Sequence, residues 1–352
     1  MTEIIPGIYQ LKVPIPNNPL GNTNSYLLKD DNGYLIIDPG MNHDESFEVL
    51  KKELAEAGAS IEEITRIVAT HSHGDHYGLA GRIKDISNAE IIVHRTARDN
   101  IQFMMRNRQG RGPEMEKWLL TNGVPKMDPA EMQHGPGGPP RGGPQGGGQG
   151  RPNFPEPTMP DTLLEGGETI SVDKFNLEVV FTPGHDPGHI CLYESNHRIL
   201  FSGDHVLPVI TPSVGLQTDS SASPLGNFLD SLKLIKEYDC ALVLPGHEQT
   251  FTNLRERVNE LVAHHAHRDA EIMAAFSGEA KTAWEISTVI TWMPSVGGKK
   301  FEELRPWDKR MAVMETLAHL KVMKVNGVVE TTLKDEIAYY NETNDKGEEI
   351  EN

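Results

Sequence analysis

The pattern of hydrophobic and polar positions at the beginning of the chain predicts strands. The stretches 4–13 and 22–29 alternate or cluster strand-forming residues. Apolar runs then flank Asp31, Asn32 and Gly33, which is the arrangement expected of a β-hairpin. The chain is therefore expected to begin with strands, two of them joined as a hairpin.

A helix is predicted next. Phe47, Leu50 and Leu54 fall on one face at helical spacing, and Asp44 and Gly58 are the predicted N-cap and end of the helix. Beyond it the pattern predicts a short buried strand at 64–70, a helix at 78–86 and a strand at 89–94.

The composition changes in the middle of the chain. Residues 134–153 are almost entirely Gly, Pro, Gln and Arg, and such a segment cannot bury apolar surface, so a mobile loop is predicted. Short helices are predicted before it, at 101–109 and 114–123. We interpret residues from about 101 to 160 as an insertion within a domain.

Strand patterns return after the insertion. They occupy the segments ETISV, LEVVF, HICLYES, RILFSG and CALVL. Because helices are predicted between and after these strand-rich segments, the expected core is a layered α/β core.

From Leu254 onward the pattern is helical. One apolar stripe is formed by Leu254, Val258, Leu261 and Val262. Two further predicted helices precede a turn at Asn326 and Gly327 and a β-like run. Helix, helix, turn and strand in this order predict a small winged-helix-like module. The expected organisation is a domain at 1–253, this module at 254–335 and an acidic tail at 336–352.

Length and charge limit the classes of function. The 352 residues exceed what one hydrophobic core usually holds, which agrees with two domains. The net charge is −18, and an acidic surface repels a phosphate backbone. Binding to nucleic acid is therefore not expected. A homodimer is the expected assembly, because most soluble oligomers are symmetric homo-oligomers.

Cysteine usage and the beginning of the sequence predict a compartment. Cys191 and Cys240 have no metal-ligand spacing to each other, and we interpret them as buried thiols in a reducing compartment. No basic start is followed by an apolar run, and no apolar run approaches the roughly 20 residues of a membrane span. We expect a cytoplasmic location, without a signal peptide or a membrane span.

Four candidate metal ligands lie close together in THSHGDHYG, residues 70–78, directly after a predicted strand. His71 and His73 are two positions apart, so on an extended segment both imidazoles point the same way and reach one ion. Asp75 and His76 lie at the following turn and can face a second ion. Packing does not explain the motif, because it places costly polar groups where nothing apolar is gained.

Three further candidate ligands each follow a predicted strand: His185 after LEVVF, Asp204 after RILFSG and His247 after CALVL. In layered α/β folds, sites gather at the carboxyl ends of strands. Taken singly, His185 or His247 is better explained as a surface or core histidine, and only the motif at 70–78 favours a ligand role. Imidazole with carboxylate suits zinc, and also iron or manganese. The seven residues are enough for two divalent ions with one shared carboxylate.

These motifs resemble those of the metallo-beta-lactamase superfamily. THSHGDHYG looks like the signature of that family, and the order of TPGHDPGH, FSGDH and PGHE is similar to its glyoxalase-II-like hydrolases. The resemblance covers roughly residues 4–250, interrupted by the insertion. It implies an αββα sandwich and a metal centre, and it says little about the substrate.

The resemblance also implies a ligand set and a mechanism. By matching motif it assigns the ligands in three groups: His71, His73 and His185 to the first ion, Asp75, His76 and His247 to the second, and Asp204 as the bridge. The implied reaction is two-metal hydrolysis, in which a bridging hydroxide attacks an acyl carbonyl without a Ser or Cys nucleophile. Asp75 would also orient this hydroxide.

Three residues beside the candidate ligands have separate interpretations. His205, beside Asp204, is a further catalytic candidate that could point into the pocket and bind substrate or a ligand. His189 is interpreted as a structural histidine or as support for a ligand. Glu248 is interpreted as a polar residue with only local contacts.

The C-terminal module bears on the substrate. It resembles, more weakly, the winged-helix tail of one superfamily branch that contains an endoribonuclease and polyketide thioesterases. Residues 278–352 carry ten Lys and Arg against fourteen Asp and Glu, so a basic recognition helix is not expected. We interpret the module as a packing and dimerisation element. The sequence also lacks a basic cluster near its end that would hold glutathione, a departure from true glyoxalase II.

The favoured hypothesis is a thioesterase that acts on an acyl-CoA or a related small thioester, because a thiolate is a good leaving group and a soft metal ligand. Hydrolysis of a lactone or another ester uses the same centre and stays open. An endoribonuclease is the second alternative, and it would require a basic, aromatic-lined groove.

Overall fold

The computed structural model describes residues 1–106, 111–126, 157–216, 218, 223–293 and 297–343. The Gly- and Pro-rich segment at 134–153 lies outside the described residues. Two compact units are formed, the first within Met1–Arg108, Gln133–Pro212 and Asn227–Asn259, the second within Gln109–Met132, Ser213–Gly226 and Glu260–Asn352. The described helices are α1 (Asp44–Glu56), α2 (Gly74–Tyr77), α3 (Ala80–Ser87), α4 (Arg95–Arg106), α5 (Arg111–Thr121), α6 (Pro224–Lys236), α7 (Leu254–Phe276), α8 (Ala283–Val289) and α9 (Pro306–Val325).

The first unit contains a seven-stranded sheet whose strands follow chain order. They are β1 (Thr2–Ile5), β2 (Ile8–Pro14), β3 (Asn22–Asp30), β4 (Gly33–Ile37), β5 (Ile64–Val68), β6 (Glu90–His94) and β7 (Thr162–Leu164). β1 to β4 pair antiparallel, and β4 to β7 pair in parallel. Asp30 pairs with Gly33, so Asp31 and Asn32 form the loop of the predicted hairpin.

The second sheet of this unit has five strands in the order β12-β11-β10-β9-β8. Their bounds are β8 (Thr169–Val172), β9 (Phe175–Phe181), β10 (Ile190–Glu194), β11 (Ile199–Gly203) and β12 (Leu242–Pro245). β8 to β11 pair antiparallel and β11 pairs with β12 in parallel. In β9 the buried Phe175, Leu177 and Val179 alternate with exposed Asn176 and Glu178, as expected of a strand with one face in the core.

The two sheets share an apolar core, and helices cover them on the outside. Side chains of both sheets form this core, among them Leu28, Leu35, Ile37, Leu177, Leu192 and Phe201. α1, α3 and α4 pack over the other face of the first sheet. α6 buries Phe228 and Leu232, and its Ser231 donates a hydrogen bond to the Pro183 carbonyl after β9, at 2.9 Å. The predicted αββα sandwich is confirmed.

Helix α1 begins differently from the prediction. His43 is the N-cap, and its Nδ1 accepts a hydrogen bond from the backbone N–H of Glu45 at 3.2 Å. Asp44, the predicted N-cap, is the first helical residue, where its carboxylate complements the positive end of the helix dipole. Phe47, Leu50 and Leu54 are buried, as their spacing predicts.

The second unit is helical and ends in a β-hairpin. α8 and α9 are followed by β13 (Val329–Lys334), which pairs antiparallel with β14 (Ile337–Glu342). Its core includes Ile272, Phe301 and Leu317. The acidic tail was predicted from residue 336, and this is wrong for β14, because Ala338 is buried and Tyr340 packs against the core.

The boundaries of the units differ from the predicted domain at 1–253. The division near the beginning of α7 falls after Asn259. α5, predicted within the insertion of the first domain, belongs to the second unit, because Leu119 and Val124 are buried in its core. The winged-helix-like assignment itself stays a prediction.

None of the described helices combines the length and apolar character required to cross a membrane. The two cysteines form no disulfide, and Cys191 is buried while Cys240 is half-buried.

Candidate metal centre

Loops at the carboxyl ends of four strands bring the predicted ligands together. The loop after β5 carries His71 and His73 and leads into α2 with Asp75 and His76; the loops after β9, β11 and β12 carry His185, Asp204 and His247. Their ligand atoms form three overlapping groups, each within 4.8 Å: His71 with His73 and His185, Asp75 with His76 and His247, and His71 with His76 and Asp204.

The Asp204 carboxylate lies between the first two groups. Its Oδ2 is 3.6 Å from His185 Nε2 and 3.3 Å from His247 Nε2. His76 Nε2 is 3.5 Å away from the same oxygen. One carboxylate therefore faces imidazoles of both groups, as a ligand shared by two ions would.

Three of the imidazoles are held by their Nδ1 atoms, so that Nε2 is left for the centre. His247 Nδ1 lies 2.9 Å from the Asn22 carbonyl, and His76 Nδ1 lies 2.9 Å from Asp38 Oδ2. His71 Nδ1 lies 3.0 Å from Thr70 Oγ1. Metal-binding histidines typically show this arrangement, because the outer hydrogen bond fixes the ring and its tautomer.

Asp38 is a supporting residue that the sequence analysis missed. Its carboxylate accepts hydrogen bonds from the Thr70 backbone N–H and hydroxyl, both at 2.7 Å, in addition to the contact with His76. Because the Thr70 hydroxyl donates to Asp38, the Nδ1–H of His71 must donate to Thr70. Asp38 therefore orients one histidine directly and another through Thr70. Its place directly after β4 was the available signal, since the other candidates also follow strands.

The donor set fits divalent ions. His71 Nε2 and Asp204 Oδ1 are buried, and neither has a hydrogen-bond partner among the described residues. His73 Nδ1 and His185 Nε2 are 3.1 Å apart, and His76 Nε2 and His247 Nε2 are 3.3 Å apart. Two nitrogens bound to one tetrahedral zinc at about 2.1 Å would be roughly 3.4 Å apart. A metal centre requires buried ligand atoms without hydrogen-bond partners, and it requires imidazole nitrogens at this spacing.

Burial and charge push the histidine pKa values in opposite directions. Burial lowers the pKa of His71 well below its ordinary value, and the neighbouring charge of His76 lowers it further. Burial would also lower the pKa of His76, but Asp204 and Asp38 outweigh it and raise this pKa well above its ordinary value. His71 is therefore neutral at physiological pH, which is the form that binds a metal.

His189 supports Asp204 rather than acting as a ligand. Its Nε2 accepts a hydrogen bond from the Asp204 backbone N–H at 3.1 Å, and its Nδ1 lies 2.9 Å from Thr182 Oγ1. Gly203 makes this contact possible: its φ is +48°, and a Cβ there would lie 2.7 Å from His189 Nε2. The interpretation of His189 as a supporting residue agrees with these contacts.

The backbone around His247 is held by β3. Asn24 Nδ2 donates to the carbonyls of Pro245 and Glu248, at 2.9 and 2.8 Å. The Tyr26 hydroxyl donates to the Pro245 carbonyl at 2.8 Å. Strand-borne polar side chains thus fix the turn that carries this candidate ligand.

His205 does not lie where the sequence analysis expected it. Its side chain is fully buried, and its ring contacts the rings of Phe228 and His189. It belongs to none of the three groups of candidate ligands found among the described residues. A ring without solvent access cannot meet a substrate arriving from solution, so the predicted contact of His205 with substrate is not retained.

Comparisons with known proteins agree with this geometry. Residues 18–247 match the model of the Metallo-beta-lactamase superfamily. The chain is 25% identical over 315 residues to a beta-lactamase-like protein 2 homolog of Caenorhabditis elegans, covering 88% of this chain and 81% of that protein. It is 22% identical over 340 residues to the probable metallo-hydrolase YqjP of Bacillus subtilis, covering 95% and 97% of the two chains. A crystal structure of a metallo-beta-lactamase family protein from Thermus thermophilus is similar with a TM-score of 0.77 and 27% identity, covering 97% of this chain and 100% of that one.

Proposed function

This chain belongs to the metallo-beta-lactamase superfamily, and from that premise we propose that it hydrolyses a small-molecule thioester such as an acyl-CoA. Members of the superfamily are metal-dependent hydrolases that bind divalent ions, typically two, and this chain is such a hydrolase. The observation that carries the proposal is the Asp204 carboxylate between the two groups of imidazoles. A dinuclear centre with one shared ligand requires this placement.

Each side chain has a proposed role at the centre. The first ion would be held by His71, His73 and His185, the second by Asp75, His76 and His247, with Asp204 between them. When bound, the two ions supply the Lewis acidity that polarises an acyl carbonyl and lowers the pKa of water. We propose zinc, because imidazole with carboxylate suits it, and iron or manganese are compatible with the same donors.

The exposed edge of the centre supports a thioester rather than another ester. His73, Asp75 and His185 are partly exposed, whereas His71, His76 and His247 are buried, so substrate would approach from the exposed edge. Asp75 there can orient the attacking water through its carboxylate. Each of these partly exposed groups is itself a candidate ligand, and a leaving group that needs no proton suits such an edge. A thiolate, whose conjugate acid has a pKa of about 8.5, leaves without a proton.

The finer family assignment is also part of the proposal. We propose that the chain is of the glyoxalase-II-like type and that the α8, α9 and β-hairpin part of the second unit is winged-helix-like. The excess of Asp and Glu in residues 278–352, fourteen against ten Lys and Arg, supports a role in packing or dimerisation rather than RNA binding. A homodimer and a cytoplasmic location stay predictions.

The proposal is tested by metal analysis of the purified protein together with hydrolysis of a panel of acyl-CoA thioesters. We expect two metal ions per chain and thioester cleavage. The variant His185→Ala should lose cleavage, and His71→Ala serves as a second ligand variant. The matched control His267→Ala, on an exposed position of α7, should behave like the wild type.

The possible outcomes test the metal centre and the choice of substrate independently. Two bound ions and thioester cleavage that is lost in the ligand variants would support both. Two bound ions with cleavage of lactones or of single-stranded RNA, and none of thioesters, would overturn the substrate. Protein that cannot be loaded with metal would overturn the mechanism.

A further inference from the structure

A compact hydrogen-bonded network lies beside the first group of candidate ligands. Ser72 Oγ donates to Asp186 Oδ2 at 2.5 Å, and Asn100 Nδ2 donates to Ser72 Oγ at 2.8 Å and to Asp186 Oδ2 at 3.1 Å. The other carboxylate oxygen of Asp186 accepts from the Gly188 backbone N–H at 2.7 Å. Asp186 and Ser72 are buried. Both oxygens of this carboxylate are thus used within the protein.

The network joins the two loops that carry the first group. Ser72 stands between His71 and His73, and Asp186 directly follows His185. The Ser72 to Asp186 bond therefore connects segments that lie 114 residues apart in the chain. The residues of the second group lie outside these two loops: Asp75 and His76 are in α2, and His247 follows β12.

Helix α4 packs against the same network. A Cβ at Gly188 would lie 2.1 Å from the backbone nitrogen of Ala97, so the turn after His185 contacts the first turns of α4 directly. Asn100 follows Ala97 by three residues and lies on the same face of the helix. The helix therefore meets the turn once through close backbone contact and once through the Asn100 amide.

We propose that Asp186 is a positioning residue that sets the spacing of His71 and His73 from His185, and so the affinity of the first metal site. The inference rests on the proposed function, since it assigns these histidines to one ion. A charged acceptor strengthens the hydrogen bonds that it receives, so the carboxylate holds the two loops more firmly than a neutral amide would. A ligand set held at the right spacing before binding loses less conformational entropy when the ion arrives.

Asp38 supports histidines of both groups, so its effect can be distinguished from that of Asp186. Asp38 orients His76 of the second group directly and His71 of the first group through Thr70. The Asp186 carboxylate accepts hydrogen bonds from Ser72, from Gly188 and from Asn100 of α4, and no candidate ligand of the second group is among these partners. A change at Asp186 should therefore weaken one ion and leave the other in place.

The test is the variant Asp186→Asn, titrated with Zn²⁺ against a chromophoric chelator to obtain both dissociation constants. The new amide has only one acceptor oxygen, so its NH2 group would face a donor either at the Gly188 N–H or at Ser72 and Asn100, and one of these contacts would be lost. We expect one dissociation constant to rise by about 10- to 100-fold, the usual effect of removing a residue that supports a ligand. It should be the constant that His185→Ala abolishes, and the other should change little.

The double variant Asp186→Asn with Asn100→Asp provides the rescue. It restores one carboxylate and one amide at exchanged positions, so donors and acceptors match again, and the weakened constant should return towards that of the wild type. Ser72→Ala is the milder variant if Asp186→Asn does not fold. Glu194→Gln is the matched control: Glu194 is a buried carboxylate at the end of β10 that accepts backbone hydrogen bonds from Asn196 and His197, and this variant should not alter either constant.

The results distinguish this inference from the proposed function. Wild-type protein that binds two ions while Asp186→Asn leaves both constants unchanged, or weakens both equally, overturns the inference and leaves the centre intact. Wild-type protein that binds no ion overturns the proposed function and the inference with it. Selective weakening with rescue in the double variant supports the positioning role.

Discussion

At the scale of single residues, the centre depends on positions without a side chain. Gly246 precedes His247 and packs beneath the carboxylate between the two groups. A Cβ at this position would lie 2.5 Å from Asp204 Oδ1 and 2.7 Å from His76 Cε1. The φ of Gly246 is not positive, so the requirement is for space and not for a special backbone conformation.

We predict that Gly246→Ala lowers kcat/KM by about 100-fold or more, because displacing a catalytic group by about 1 Å is sufficient for such a loss. The measurement is steady-state hydrolysis of the best thioester. Gly74→Ala is the matched control, since a Cβ at Gly74 would meet nothing within 4 Å although it lies among the same ligands. Equal activity of the two variants would contradict the steric argument.

The two thiols give a second prediction at this scale. Burial raises the pKa of Cys191 to about 12 and that of Cys240 to about 11. Because burial disfavours the thiolate, the reactive form is scarce at pH 8, and a thiol reagent should react at least about 100-fold more slowly than with free cysteine. Unfolding in denaturant should release both thiols. Rapid modification of the native protein at pH 8 would argue against this burial.

At the scale of elements, the loop after β11 is held by two charged side chains. Arg257 of α7 donates to three backbone carbonyls of residues 207–210, at 2.7, 3.0 and 3.0 Å. Glu248 Oε2 accepts from two backbone N–H groups of the same loop, at 3.0 and 3.2 Å. Glu248 was interpreted as local, and this is wrong, because its partners lie 39 and 38 residues away in the chain.

We predict that Arg257→Met destabilises the protein by about 1–3 kcal/mol, since one buried carbonyl and two partly buried carbonyls of the loop lose their donor. Limited proteolysis should then cut within residues 207–212, and kcat/KM should fall because this loop follows Asp204. Urea unfolding and proteolysis measure the two effects. Arg255→Met, on the exposed face of α7, is the control and should change neither. A loop as resistant as that of the wild type would contradict the role of Arg257.

At the scale of the whole molecule, the metal centre and the tryptophans belong to different units. All four tryptophans, at 118, 284, 292 and 307, lie in the second unit. Both cysteines and all seven candidate ligands lie in the first. Tryptophan emission therefore reports on the second unit, and exposure of thiols reports on the first.

We predict that removing the metal with a chelator destabilises the first unit. Ions that bind only the folded state stabilise it by about 2.7 kcal/mol at a free concentration 100 times Kd. The temperature at which thiols become exposed should fall by roughly 5–10 °C, and the transition followed by tryptophan emission should shift less. Reloading with Zn²⁺ should restore the first transition. Equal shifts of both signals would show that the units do not unfold separately.

Features that depend on a few neighbouring residues could be predicted from the sequence. The hairpin at Asp31 and Asn32 and the apolar face of α1 agree with the patterns, because turn chemistry and helical spacing are local. The N-cap of α1 was misplaced by one residue, since a histidine took the capping role. β14 was missed although four of its six residues are hydrophobic, because its pairing with β13 depends on the core that receives Ala338 and Tyr340.

The sequence by itself determined which residues could form the centre, since each candidate follows a strand and alternation along an extended chain aims His71 and His73 together. Only the tertiary structure decided how these residues are held. The hydrogen bonds of Asp38, Asp186 and Asn100 join segments that are distant in the chain, and the burial of His205 depends on the approach of Phe228. The physical reason is that local spacing sets the direction of a side chain, whereas contacts between distant loops exist only after the sheets and helices have packed.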